Sequence, residues 1–116
     1  MARGSVRIKR VYEDPAKADG HRILVDRIWP RGLTKADAAV DEWLKDVGPS
    51  TELRRWFGHD PARFGEFARR YRAELDGSDA FARLRAVRDE HRVVTLVYSA
   101  RDTEHNQAVV LRDLLG

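Results

Sequence analysis

Apolar residues recur along this chain with two different periods. In residues 6–12, Val6, Ile8 and Val11 alternate with Arg7, Lys9 and Arg10, a pattern that predicts a strand with one wet face. Residues 13–20 are polar and contain Pro15 and Gly20, so a loop is expected there. Residues 21–29 predict a second strand. Its centre, Ile23, Leu24 and Val25, is apolar at consecutive positions, as in a strand covered on both faces. Pro30, which has no ladder donor, is expected to end it. The period then becomes helical. Thr34 is placed to cap a short helix over 35–40, and Trp43, Leu44 and Val47 fall on one face of a further helical stretch over 41–47. Gly48 and Pro49 break it. Ser50 caps the next helix, which turns Leu53, Trp56 and Phe57 inward and ends at Gly58.

The second half repeats the alternation. Asp60 and Pro61 supply a cap and a first residue for a helix in which Phe64, Phe67, Ala68, Tyr71 and Leu75 follow the helical spacing. Gly77 stops it, and Ser78 caps a helix carrying Phe81, Leu84 and Val87. Residues 93–98 are β-branched and apolar throughout, which predicts a central buried strand. Thr103 is expected to cap the final helix, with Glu104 at its N-terminus and Val109, Val110, Leu111, Leu114 and Leu115 as its apolar side. Strands alternating with helices predict an α/β fold: a small single-domain sandwich over residues 1–116, with a short, mainly parallel sheet flanked by helices.

Composition narrows the classes further. The 116 residues are the length of one domain, and 42% apolar content supplies a core and excludes a disordered chain. No apolar run approaches the roughly 20 residues a membrane helix needs. The charged N-terminus has no apolar stretch behind it, so no secretory signal is visible and the cytoplasm is the expected location. The absence of cysteine excludes disulfides, thiolate nucleophiles and cysteine-held metal sites together. The net charge is only +3, but 18 Arg stand against 4 Lys. A GC-rich genome accounts for such a bias. So does anion recognition, because the guanidinium fork matches phosphates and carboxylates.

Candidate chemistry gathers at two strand ends. In an open α/β sheet, ligands bind outside the carboxyl ends of the strands. One end delivers Asp26, Arg27, Trp29 and Arg31. The other delivers Ser99, Arg101, Asp102, His105 and Asn106. If the two strands are parallel, Arg27, Arg31 and Arg101 are expected to surround an oxyanion near a helix N-terminus. Trp29, Ser99 and Asn106 complete the expected binding set. His59 and His105 are the candidate catalytic residues, because imidazole exchanges protons near neutrality. Each of these has a structural alternative: Asp26 can pair with an arginine, Asp102 and Thr103 can start a helix, and His59 can bond a carbonyl. The four histidines lack metal-like spacing, and no phosphate loop, dinucleotide fingerprint or nucleophile elbow is present, so neither metal nor cofactor is expected. The expected partner is a phosphorylated or carboxylated small molecule, bound or acted on. The competing reading is a non-catalytic module for nucleic acid or protein. Arg69, Arg70 and Arg72 weigh little for it, because they do not share one helix face.

Together the segments carrying Val25-Asp26-Arg27-Ile28-Trp29-Pro30-Arg31-Gly32, Asp41-Glu42-Trp43-Leu44-Lys45, Trp56-Phe57-Gly58-His59-Asp60-Pro61 and Val97-Tyr98-Ser99-Ala100-Arg101-Asp102 with His105-Asn106 resemble the YeaO-like branch of the domain-of-unknown-function 488 family. The resemblance spans nearly the whole chain. It implies the fold and the grouping of residues and names no reaction. The end of the second strand and the later strand–loop–helix also resemble the rhodanese layout. The nearest position to the catalytic cysteine of that layout is Ser99, so persulfide transfer is excluded and only an anion cradle is implied.

Overall fold

Four strands form one sheet, in the order β1-β4-β2-β3, and every pair in it is parallel. The computed structural model describes residues 4–116. The strands are β1 (Ser5–Arg10), β2 (His21–Leu24), β3 (Glu42–Trp43) and β4 (Val93–Tyr98). The helices are α1 (Lys35–Ala38), α2 (Thr51–Phe57), α3 (Phe64–Leu75), α4 (Asp79–Glu90) and α5 (Gln107–Leu115). Among the described residues, no helix is long and apolar enough to cross a membrane.

The continuous apolar run of residues 93–98 becomes the central strand, paired with β1 on one side and β2 on the other. Strand periodicity then sorts the sheet into two faces. Ile23, Val25, Val94, Leu96 and Tyr98 face a layer of helices that contributes Leu53, Phe57, Phe67, Tyr71, Leu84, Val87 and Leu111. Leu24 and Val97 face the other way, where Val11, Trp29, Leu33 and Ala38 form a smaller cluster under the segment between β2 and β3. The expected sandwich is therefore asymmetric, with helices on one side and a thin loop layer carrying α1 on the other.

Three expectations need correction. The second strand ends at Leu24 rather than near Trp29, although Val25 still donates to the Val97 carbonyl at 3.1 Å. The polar Asp26 and Arg27 make their hydrogen bonds to loops, so the ladder cannot continue through them. The stretch 41–47 is not a helix: Glu42–Trp43 is an edge strand and Lys45–Val47 a single 3-10 turn. The helical spacing of Trp43, Leu44 and Val47 loses to β2, whose Leu24 carbonyl accepts from Leu44 N. The final helix is capped by Asn106, not Thr103, with Val109 N donating to Asn106 Oδ1 at 3.2 Å. Asp102 takes the intervening turn by accepting from the backbone N–H of Glu104 and His105. The other caps stand as the sequence implies: Thr34, Ser50, Asp60 and Ser78 each accept from a backbone N–H of the first turn.

A polar network holds the edge of the sheet opposite the strand C-termini. Arg22 and Asp19 are both buried and bond at 2.6 Å, and Arg22 also donates to the carbonyls of Ala38 and Ala39. The Asp19 carbonyl accepts from Thr95 Oγ1 on the central strand. Gly20 beside it has φ 65, and a Cβ there would sit 2.3 Å from the Val93 carbonyl oxygen, so no other residue fits without moving the strand. Burial would raise the Asp19 carboxyl pKa, but hydrogen bonds from Ala16 N, Lys9 and Arg22 outweigh it and hold the group below its usual range.

Removing one partner of this buried pair should be far costlier than its surface counterparts suggest. We expect Arg22→Ala to lower stability by about 2–3 kcal/mol, because it strips the buried carboxylate of its guanidinium while Lys9, at 3.2 Å, still partners it. The Asp19 contribution is present above the unfolded pKa near 3.8 and lost as pH falls through the depressed folded value. Urea unfolding of the wild type between pH 7 and pH 2.5, beside Asp19→Asn, measures both. A loss below about 1 kcal/mol for Arg22→Ala would mean the network adds no more than an exposed pair.

Candidate functional site

The order β1-β4-β2-β3 reverses direction between β2 and β4, and a crevice opens outside the C-terminal ends of these two strands. The cavity there measures about 230 Å³. Its polar lining is Asp26, Arg27, Arg54, Arg55, His59, Ser99, His105, Asn106 and Gln107, and Ile28, Pro49, Phe57, Phe67 and Ala100 complete it.

The mouth is set by groups that the backbone has already fixed. Asp26 follows β2 and is 7% exposed. Its carboxylate accepts from Ser99 N at 3.0 Å and from the Gln107 side-chain amide, which ties the ends of β2 and β4 to the start of α5. Its carbonyl accepts from the Trp43 indole at 2.7 Å. Arg27 donates to the Gly48 and Pro49 carbonyls at 2.8 and 3.0 Å, clasping the loop after β3. Gly48 permits that approach: a Cβ would meet Arg27 N at 3.0 Å. Tyr71, its phenol pushed well up by burial, keeps the proton it donates to the Val47 carbonyl. Glu74 accepts from Ser50 N and Oγ at 2.9 and 2.5 Å, and Ser50 in turn caps α2. Thus α2 starts from an anchored residue and brings Arg54 and Arg55 to the cavity.

The two histidines arrive by different devices. Gly58 ends α2 with φ 54, and His59 follows with φ 57, a second left-handed residue in succession. For histidine that conformation is uncommon and strained by about 1–2 kcal/mol. His105 is positioned by Asp102, whose Oδ2 lies 2.9 Å from His105 Nδ1, and by the Phe64 ring, which meets it edge-on at 5.3 Å between centroids. With Nδ1 engaged, Nε2 is the ring nitrogen left for a ligand. The backbone N–H of Glu104, then the His105 ring and N–H, hold the Asp102 carboxyl below its usual range against a smaller effect of desolvation.

Charge in the cavity is unbalanced. Asp26 is the only carboxylate among its described lining residues, against Arg27, Arg54 and Arg55. Burial raises the Asp26 pKa, opposed by hydrogen bonds from Ser99 and Gln107 and by the Arg54 charge. Arg54 and Arg55 make no salt bridge or side-chain hydrogen bond among the described residues.

The structure brings together His59, His105, Arg27, Ser99 and Asn106 from the expected set and leaves out three others. Trp29 is structural: its indole donates to the Leu33 carbonyl at 2.8 Å, and its ring packs edge-on against Trp43 at 5.3 Å. Arg31 is exposed beyond it, its carbonyl accepting from Tyr12 Oη. Both are carried past the cavity because β2 stops at Leu24. Arg101 is exposed outside the Asp102 turn, because α5 starts at Gln107 and not at residue 103. Asn106 reaches the cavity but is 1% exposed and spends its amide on Asp102 O and Val109 N, so its main part is the cap. Sequence reasoning missed Arg54, Arg55 and Gln107. The signal for Arg54 was present, since it lies between the inward positions Leu53 and Phe57. Gln107 was hidden by the misplaced helix start.

Comparison with other proteins places this arrangement in a family. The chain is 52% identical over 111 residues to an uncharacterised protein of Mycobacterium tuberculosis strain H37Rv, covering 96% of this chain and 93% of the relative. It is 43% identical over 111 residues to the uncharacterised protein YeaO of Escherichia coli K12, covering 96% of each. No solved structure matches it. A family model described as the inactive DUF488-N3 subclade matches residues 5–116, and the chain belongs to that family.

Proposed function

We propose that this protein is a cytoplasmic binder of small phosphorylated or carboxylated molecules, and that it holds its ligand in the β2–β4 crevice without turning it over. The observation that carries the reading is the charge imbalance: three arginines line one cavity, two of them with no ion pair or side-chain hydrogen bond among the described residues, against one buried carboxylate. Like charges brought together without a counterion destabilise one another, and an anion relieves this. The N-terminus of α5 at Asn106 and Gln107 adds a favourable dipole. The description of the family as an inactive subclade supports binding over catalysis. His59 and His105 are then ligand contacts rather than an acid–base pair. The nucleic-acid alternative draws less support, because Arg69 and Arg70 are engaged by Glu66 and offer no free basic stripe.

Thermal melts in phosphate at fixed ionic strength test this directly. At 100 times the dissociation constant the fold should gain about 2.7 kcal/mol, and Arg54→Ala should remove most of that gain. A melting temperature flat in phosphate and in small carboxylates overturns the proposal.

Asp26→Asn should tighten phosphate binding at pH 7 by roughly tenfold, since it removes the one negative charge facing the anion. Its hydrogen bonds survive, because the Gln107 amide can turn its oxygen toward the new NH₂ group. The sign on stability agrees. A carboxyl with a raised folded pKa stabilises fully below its unfolded pKa, and that contribution is lost as pH rises through the folded value. The variant should therefore gain on the wild type at neutral pH and lose the advantage below about pH 4. Unchanged phosphate affinity in Asp26→Asn would place the anion elsewhere.

His59 separates binding from folding. Glycine relieves the left-handed strain while adding chain entropy, so His59→Gly should stay within about 1 kcal/mol of the wild type. Phosphate affinity should nonetheless fall about fivefold or more, the scale of one lost hydrogen bond to a charged group. Calorimetric titration beside urea unfolding reads the two independently, and full affinity in the glycine variant returns His59 to a purely structural turn.

A further inference from the structure

The same cavity is not built for a bare inorganic anion. Its cationic groups share the lining with Phe57, Phe67, Pro49, Ala100 and Ile28. An inorganic phosphate is hydrated on every side and gains nothing from such a wall. Phe57 and Phe67 stack at 4.3 Å between centroids and are held by the helical layer, so that part is preformed. Ile28 differs. It is 61% exposed, the most exposed large apolar side chain among the described residues, on the loop directly after Asp26 and Arg27. Trp43, 40% exposed, donates to the Asp26 carbonyl, so among the described residues two of the four exposed large apolar side chains stand at or beside this mouth. Isolated exposed apolar residues are ordinary. Here the pair stands at a sheet's switch point, where organic ligands bind preferentially, and beside a lining that offers both apolar contact and placed polar groups.

We propose that the ligand is an amphiphilic organic anion, a phosphate or carboxylate carried on a flat apolar or aromatic body, with the anionic end toward Arg27, Arg54 and Arg55 and the apolar body against Ile28 and the adjoining apolar wall. This deepens the anion-binding reading and rests on it. The lining mixes hydrogen-bonding groups with apolar side chains, and Ile28 directly follows Arg27, so the discrimination is between anions with and without a body to cover Ile28. Planar guanidinium groups favour the same choice, since they stack on flat ligands as well as pairing with the anion.

The test is a calorimetric comparison of inorganic phosphate, phenyl phosphate and neutral benzyl alcohol on the full chain. Phenyl phosphate should bind at least tenfold more tightly than phosphate, and benzyl alcohol should bind far more weakly than either. In Ile28→Ser, an exposed substitution, the ratio of phenyl phosphate to phosphate affinity should fall from tenfold or more to below about threefold, the range expected for losing part of one apolar contact. In Arg54→Ala both anions should weaken together and the ratio should hold. Equal affinity for phosphate and phenyl phosphate, or a ratio untouched by Ile28→Ser, overturns this inference and leaves the anion pocket standing. Failure of both anions to bind, or benzyl alcohol binding as well as phenyl phosphate, overturns the anion reading itself.

Discussion

The pairing of β4 with a parallel strand on each side is the constraint from which the rest follows. A parallel neighbour on both edges requires a strand buried on both faces, and residues 93–98 meet that with an apolar run broken only by Thr95, whose hydroxyl is bonded to the Asp19 carbonyl. Once β4 lies between β1 and β2, the C-terminal ends of β2 and β4 must emerge side by side at the point where the strand order reverses. The crevice there is a consequence of topology. The side chains lining it arrive from separate stretches of sequence: the turn after β2, the loop at Pro49 with helix α2, the turn at His59, helix α3 and the loop from β4 into α5.

Asp26 shows how one group serves fold and site together. As an acceptor for Ser99 N and the Gln107 amide it fixes three elements at the mouth. As a buried charge it is unfavourable in itself, and burial accordingly pushes its pKa up. The nearby guanidinium groups offset part of that penalty, with Arg54 the charge that acts on it most. A single carboxylate cannot neutralise three of them. The residue that ties the elements of the mouth together therefore leaves the pocket cationic, which is the electrostatic condition for taking up an anion.

How much could be read from the sequence depended on whether the deciding interaction was local. Caps are local, so Thr34, Ser50, Asp60 and Ser78 were legible, as was the inward face of α3. The strong apolar run of β4 was legible for the same reason, and the convergence of Asp26, Arg27 and Ser99 followed from the parallel pairing that two apolar strands separated by helices imply. The edge strand at Glu42–Trp43 was not. Two residues carry no period of their own, and only the ladder with Ile23 and Leu24 makes them a strand. The start of α5 was misplaced because two residues compete as caps, and Asn106 wins only once its amide finds the Asp102 carbonyl. Arg31 and Arg101 followed from those two boundaries: with β2 extended to Trp29 and α5 begun at Thr103 they reach the crevice, and with the observed ends they do not.

The network behind the crevice bears on affinity as well as on fold. Arg27 is held by the Gly48 and Pro49 carbonyls, Val47 by the Tyr71 hydroxyl, and Ser50 by Glu74, so the loop that starts α2 is tied at four consecutive positions to α3 and to the turn after β2. His105 is likewise fixed by Asp102 and Phe64 before any ligand arrives. Binding to such a site need not immobilise its polar groups, a cost of about 0.5–1.5 kcal/mol for each long side chain ordered. Arg54 and Arg55 are the exceptions, since neither makes an ion pair or side-chain hydrogen bond among the described residues. The fixed groups set the shape of the crevice, and these two adapt to what fills it. In the anion-binding reading proposed above, that division would let one scaffold accept related anions while its helix start, its buried carboxylate and its apolar wall stay in place.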